Sequence, residues 1–482
     1  MTKTVLFAAV VVTSLLAGAG EKPGVLSYQY DASRGKIPTM ETFKRIVDFI
    51  APLGYNEFQL YGEYYFGYKG IGKDKTPDQC VSAAEVRELD AYCRSKGIDF
   101  VPNQNSFGHM GEWVGEFPEL AVLPAGESIK LSWGGSINGP GNTINPVDPR
   151  SLELIGRMYD QFLPCFSSKL FNVGCDETFE ILYAKPGQTR CAAAIAEKGA
   201  VRVYFDFLLK IHELVRARGR RMMFWGDIIL HRPELIPELP KDVVCLNWGY
   251  EANHPFEKQT AQLEAAGCDF YVAPGTSAWG SIAGRTDNMM ANVDNAVTAG
   301  SKHGMKGVML ADWGDWGQPN PFLTSIPALI YTAHRVRGEK LSFDALAAEI
   351  DRLLGCRVGR SLLRHGNLYR LCGAERSNSS ELAQWLRKGA KYERPKGMTD
   401  EKLLATFAER KAARADRDLT GAPQWVKDDV ETIDLLFDAL EACFRAEYGT
   451  IRSRFAPRYR ELWMKQNRLS GREFSINHNI PE

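Results

Sequence analysis

Two consecutive carboxylates, Asp176 and Glu177, follow the apolar run Leu170-Phe171-Asn172-Val173-Gly174-Cys175. Successive side chains of a regular strand point to opposite faces, so both acids can serve one site only where the strand gives way to a turn, and Gly174 permits that departure. Two acids in a low-dielectric cup resist double ionisation, which pushes one of them toward a proton donor near neutral pH. On that reading Glu177 donates a proton to a leaving oxygen. Two other readings stay open: an acidic pair favoured by a helix N-terminus, and a ligand pair for a divalent cation. Retaining cleavage of a glycosidic bond needs a second carboxylate about 5–5.5 Å away as nucleophile, unless the substrate supplies its own. The segment where many barrel hydrolases carry that nucleophile reads Tyr271-Val272-Ala273-Pro274, without an acid. An N-acetyl group can attack instead through its carbonyl oxygen. Asp176 would then accept the acetamido N–H, orient that oxygen and offset the positive charge of an oxazolinium.

The elements that must position these acids alternate along the chain. Eight strand-length runs stand out: Val25 to Tyr30, Asn56 to Tyr61, Asp99 to Asn103, Leu170 to Gly174, Arg221 to Trp225, Val243 to Trp248, Asp269 to Val272 and Gly307 to Ala311. Helix signals lie between them. Phe43, Ile46, Val47 and Ile50 recur at helical spacing, and Ser82 to Glu85 is a capping box ahead of Val86, Leu89 and Cys93. Further helices fit 201–218, 256–266, 292–299 and 321–337, while the unit after Trp225 has only a Pro-rich link. Parallel strands need crossover helices and eight of them close a sheet, so the pattern predicts an α/β fold, a (β/α)8 TIM barrel.

A barrel of this kind carries its chemistry at the C-terminal ends of the strands. Those ends carry Asp31 and Arg34, Glu63, His109, Asp176 and Glu177, Trp225 and Asp227, Trp248 with Tyr250 and Glu251, Tyr271, and Trp313 with Asp315. The mouth is therefore expected to be a polar, aromatic-lined cup. Trp225, Trp248, Trp279 and Trp313 are candidate walls, because the C–H face of a pyranose packs on an indole. Asp227 and Glu251 have no assigned role.

Composition narrows the partners. Fifty-nine basic side chains against fifty-nine acidic ones give zero formal charge across 482 residues, so no global field attracts nucleic acid or an anionic membrane. With 44% hydrophobic and 24% charged residues the chain is an ordinary globular one. Lys3, the apolar run Val5 to Leu16 and Ala17-Gly18-Ala19 read as an export signal over 1–19. Export to the periplasm or medium is the expected location, and the run is too short to span a bilayer comfortably. The ten cysteines show no paired or zinc-like spacing and read as free, buried thiols. After a barrel over 20–340, residues 341–482 turn helical and charged. Val430, Ile433, Phe437, Leu440 and Phe444 form an apolar seam, expected to pack within the chain, with a coiled-coil dimer as the alternative.

Residue by residue, the barrel resembles glycoside hydrolase family 20, the exo-β-N-acetylhexosaminidases. Gly174-Cys175-Asp176-Glu177 matches the family's Gly-Gly-Asp-Glu signature with one glycine replaced, and Asp31-Ala32-Ser33-Arg34 is similar to its Asp-x-Ser-Arg segment. Gly108-His109 resembles its Gly-His, and Trp313-Gly314-Asp315 its Trp-x-acid element. The resemblance implies that Arg34 binds sugar hydroxyls and that Asp315 holds hydroxyls of the terminal sugar. It further implies that His109 and Glu63 form a relay to the general acid, and that Tyr271 donates to the acetamido oxygen. The family's Tyr-x-Asp reads Tyr271-Val272-Ala273, and the first strand follows the leader almost directly, without the α+β domain that commonly precedes such barrels. Both traits mark a divergent subgroup. The implied activity is release of terminal β-linked N-acetylhexosamine (GlcNAc or GalNAc) from a glycan with retention, with no metal or other cofactor and no nucleic-acid partner. Competing readings are a retaining glycosidase using Glu251 or Asp315 as nucleophile, and a sugar-binding barrel without turnover.

Overall fold

The computed structural model describes residues 24–132 and 134–482. The expected export signal over 1–19 lies outside them. The described residues form ten strands in order: β1 (Val25–Asp31), β2 (Glu57–Tyr61), β3 (Asp99–Val101), β4 (Ser128–Lys130), β5 (Ser136–Asn138), β6 (Leu170–Asn172), β7 (Arg221–Trp225), β8 (Val244–Trp248), β9 (Phe270–Ala273) and β10 (Gly307–Asp312). The pair β4 and β5 is an antiparallel hairpin after the third barrel strand, where the Gly-rich 134–142 stretch lies. The other eight are parallel in the order β3-β2-β1-β10-β9-β8-β7-β6. A parallel bridge between Asn103 and Asn172 joins the two ends, with Gln104 N–H donating to Asn172 O and Asn172 N–H to Pro102 O. The result is a (β/α)8 barrel, and all eight runs read from the sequence are its strands.

Local chemistry sets the crossover helices. Met40–Ile50 starts at Thr39, whose side chain accepts the Thr42 N–H, and it buries Phe43, Ile46, Val47 and Ile50 against the sheet. Ala83–Ser95 has the reciprocal capping box between Ser82 and Glu85. After β7 the crossover shrinks to Asp227–Leu230 and a 3-10 turn, Pro233–Glu238, because the prolines stop a longer helix. One apolar layer lies between strands and helices. A second fills the barrel interior, from Val101, Met223 and Met309 up to Trp225 and Trp313.

Helices from Phe343–Leu354 to Arg472–Asn479 form an annex docked on the barrel. The expected seam lies on Gln424–Phe444, where Val430, Ile433, Phe437 and Leu440 are buried and Phe444 is half-buried within the same chain. The coiled-coil alternative is thus overturned, because the seam's partners are the annex's own helices. Arg468 fastens the annex by donating to Pro77 O and Cys80 O and pairing with Glu85 at 2.8 Å. All ten cysteines are free, and all but Cys268 are buried. Among the described residues no helix is long and apolar enough to cross a membrane.

Candidate active site

The signature turn follows β6. Gly174, Cys175 and Glu177 have φ values of 67°, 71° and 52°, a left-handed path that costs about 1–2 kcal/mol per non-glycine residue and is held by specific bonds. Gly174 N–H donates to Asn172 Oδ1 at 3.0 Å, and Glu177 N–H donates to Asp227 Oδ2 at 3.1 Å. A Cβ on Gly174 would lie 1.7 Å from Asn105 Oδ1, so glycine is required there. The turn brings Asp176 and Glu177 to one cavity of about 160 Å3, lined also by Arg34, His109, Trp225, Trp248, Tyr250, Trp313, Asp315 and Asn378. Cys175 is fully buried, and burial pushes its thiol well up, away from a nucleophilic role.

His109 stands between the acids. Its Nε2 is 3.3 Å from both Asp176 Oδ2 and Glu177 Oε2, and its Nδ1 is 3.6 Å from Glu63 Oε1. Burial alone would lower its pKa, but the Asp176 and Glu177 carboxylates outweigh burial and hold it well above the ordinary imidazole value. Burial raises Glu63, against the pull of Arg34 and His109. Arg34 pairs with Asp31 at 2.8 Å, Glu63 at 3.2 Å and Asp315 at 3.6 Å. Its guanidinium lies 5.1 Å from the Tyr61 ring centroid and 5.2 Å from that of Trp313. Asp31 is fully buried and accepts from Ser33 N–H, Gly314 N–H and Arg34. It is a clamp for Arg34 and the Trp313–Asp315 loop, not a group facing the cavity as expected from the sequence.

The wall is aromatic. Trp248 stacks on Tyr250 with ring centroids 5.2 Å apart, and Trp225 tilts against Trp313 at 5.8 Å. Asp176 Oδ1 and Trp225 Nε1 are buried without a partner among the described residues, as polar groups are when their partner is a bound molecule. A wider groove of about 840 Å3 adjoins the cavity, sharing Arg34 and Asp315 and passing Tyr64, Lys75, Trp316 and Phe474.

The model "Glycosyl hydrolase family 20, catalytic domain" matches residues 65–302, the stretch that holds His109, Asp176, Glu177 and three of the wall residues. The chain carries a glycosyl hydrolase family 20 catalytic domain. This family 20 chain is 25% identical over 183 residues to the lacto-N-biosidase of Bifidobacterium bifidum, covering 36% of this chain and 15% of that protein. It is 24% identical over 230 residues to human hexosaminidase D, covering 46% and 44%. The chain thus spans less than half the length of these curated relatives. Its fold matches the solved β-N-acetylhexosaminidase of Bacteroides fragilis at a TM-score of 0.52 and 16% identity, covering 69% and 70% of the two chains. It matches Flavobacterium johnsoniae chitobiase at 0.53 and 15%, covering 87% and 71%.

Within this family 20 site two expectations besides Asp31 fail, Tyr271 and Trp279, and so does the competing reading on Glu251. Tyr271 is not at the mouth: it is the second residue of β9, and its side chain lies near Glu57 at the start of β2, Arg221 and Asp99. It therefore lies at the opposite end of the barrel interior, and the tyrosine at the cavity is Tyr250, two residues beyond β8. Trp279 is buried behind the wall, edge-on to Tyr250 at 5.0 Å, and does not line the cavity. Glu251, the alternative nucleophile, is tied bidentately by Arg285 at 2.9 and 3.1 Å, away from the cavity. Two further groups had no sequence assignment. Asp227 is half-buried beside the pair, and desolvation first, then the Asp176 charge, push its carboxyl well up. Asn378 reaches the cavity from the annex, and no motif announced it.

Proposed function

We propose that this chain is an exo-acting, retaining β-N-acetylhexosaminidase working by substrate-assisted catalysis through an oxazolinium. The observation that carries the reading is the adjacent pair Asp176 and Glu177 facing one aromatic-walled cavity, with Asp176 Oδ1 unpartnered. The names of the relatives, hexosaminidase D and lacto-N-biosidase among them, support the same chemistry. Glu177 protonates the glycosidic oxygen while the substrate's acetamido oxygen closes on the anomeric carbon and the glycosidic bond breaks. Asp176 accepts the amide N–H and offsets the charge on the ring. The same Glu177 then takes a proton from the water that opens the oxazolinium, and the β configuration returns. His109, held cationic between the two acids, fixes their positions, with Glu63 behind it. Trp225, Trp248 and Trp313 pack the sugar and its acetyl group, and Arg34 and Asp315 bind hydroxyls. The wider groove leaves room for the rest of the glycan.

A protein nucleophile finds less support, because Glu251 is engaged by Arg285 and Asp315 leans on Arg34. Hydrolysis of an aryl β-N-acetylglucosaminide, no hydrolysis of the aryl β-glucoside, and inhibition by a thiazoline analogue of the oxazolinium are expected. Equal turnover of both glycosides would refute the mechanism. Glu177→Gln should slow unactivated glycosides by about 10²–10⁴-fold and good-leaving-group substrates far less, and equal losses would refute the acid assignment. Export is part of the proposal, supported by the Val5 to Leu16 run and tested by N-terminal sequencing of the protein recovered outside the cytoplasm.

A further inference from the structure

The annex is not a bystander to the sugar site. Asn378, which belongs to it, lines the catalytic cavity in a tight turn bridged from Arg376 to Ser379. Its position is fixed from three sides. Its N–H donates to Glu251 Oε1 at 2.6 Å, and its Oδ1 accepts the Trp279 Nε1–H at 3.0 Å. Next to it, Ser379 Oγ–H and Ser380 N–H both donate to Gly280 O at 2.8 Å. Glu251 is in turn held by Arg285. The backbone is left-handed, φ 56°, a conformation that asparagine and aspartate tolerate better than other side chains. Because Trp279 can only donate, it settles which end of the amide is the oxygen. Asn378 is exposed at the cavity's edge, and its Nδ2 makes no hydrogen bond among the described residues. Asp315 lines the same cavity as an acceptor, and a sugar hydroxyl needs one acceptor for its proton and one donor for its oxygen.

We propose that Asn378 is a substrate-contacting specificity residue, its Nδ2 donating to a hydroxyl oxygen of the sugar in the cavity, so that the helical annex completes the barrel's site. The proposal rests on the hexosaminidase reading and names a contact that reading does not contain. It also explains why Trp279 and Glu251, neither of which lines the cavity, are built around this one turn.

The decisive variant is Asn378→Asp. It keeps the left-handed backbone and an oxygen for Trp279, replaces the Nδ2 donor with an acceptor, and adds a negative charge beside Glu251 and in the cavity that holds Asp315. Asn378→Gly, which also suits φ 56°, removes the side chain altogether. On an aryl β-N-acetylglucosaminide both should lose about three- to tenfold in kcat/KM, Asn378→Asp more than Asn378→Gly because its added carboxylate also repels the acidic cavity. Repeating the assay on 3-, 4- and 6-deoxy substrates should abolish the Asn378→Gly penalty on one of them, the sugar that lacks the bonded hydroxyl. Wild-type rates for both variants, or an equal penalty on every deoxy substrate, would overturn the proposal. Lack of turnover by the wild-type chain would instead sink the hexosaminidase reading. In that event the variants are compared by calorimetry for N-acetylglucosamine affinity, where a loss supports the contact and equal affinity refutes it.

Discussion

Replacing Gly108 by alanine tests whether catalysis depends on the distance between His109 and the acid pair. A Cβ on Gly108 would stand 1.9 Å from the carbonyl oxygen of Asp176 and 3.1 Å from its carbon. Both partners are backbone, so no rotamer relieves the conflict, and the segments must separate until the contact exceeds 3.0 Å. A displacement of that size carries His109 away from acids now 3.3 Å from it. A shift of about 1 Å in a catalytic array costs roughly 100-fold, and that is the loss expected in kcat/KM on an aryl β-N-acetylglucosaminide. Overpacking costs about 1–3 kcal/mol, which in a chain of this size lowers the melting temperature by only about 1–3 °C. The expected signature is therefore a large kinetic loss with a small thermal one. Gly156→Ala is the control: its nearest neighbour would be Arg218 Nη2 at 3.4 Å, the end of a flexible side chain, and activity should be unchanged. Wild-type kcat/KM in Gly108→Ala would refute the argument that this close approach sets the site's geometry.

Three further outcomes follow from the charges around the cavity. Arg34→Lys replaces a fork that engages Asp31, Glu63 and Asp315 with a point charge, and steady-state kinetics should show kcat/KM lower by about 10- to 100-fold. Asp227 in the fold keeps a proton that the unfolded chain gives up above its ordinary carboxylate range, so this group lowers stability as pH rises from there through its folded value. Asp227→Asn, whose side-chain oxygen can still accept the Glu177 N–H, should therefore raise the melting temperature at pH 7 and not at pH 3; a lower value at pH 7 would refute the assignment. His109 has the opposite sign: its raised folded value adds stability that is complete below about pH 6.5 and is lost as pH climbs through the folded value. Denaturant titrations between pH 6 and pH 9 should show a loss in the wild type that His109→Gln lacks.

What the sequence determined by itself is the order of the elements and the end of each strand at which chemistry sits. Apolar runs at strand length, separated by helix-period segments with caps such as Ser82 to Glu85, specify a parallel sheet with crossover helices, and eight such units are the number that closes a (β/α)8 barrel. The Asp176-Glu177 pair, Arg34, His109, Glu63 and Trp313 were legible for the same reason: each follows its strand within a few residues, so its place along the barrel axis is set locally. Tertiary structure alone decided which side chains meet. Tyr271 and Tyr250 both belong to strand regions with apolar neighbours, but the register of β9 places Tyr271 near the base of the interior, beside Glu57, while Tyr250 lies beyond the end of β8 at the mouth. Asp31 reads as a group facing the mouth until the fold surrounds it with three donors. Asn378 lies 201 residues beyond Glu177 and reaches the cavity only because the annex folds back over the barrel mouth, a long-range contact that no local periodicity encodes.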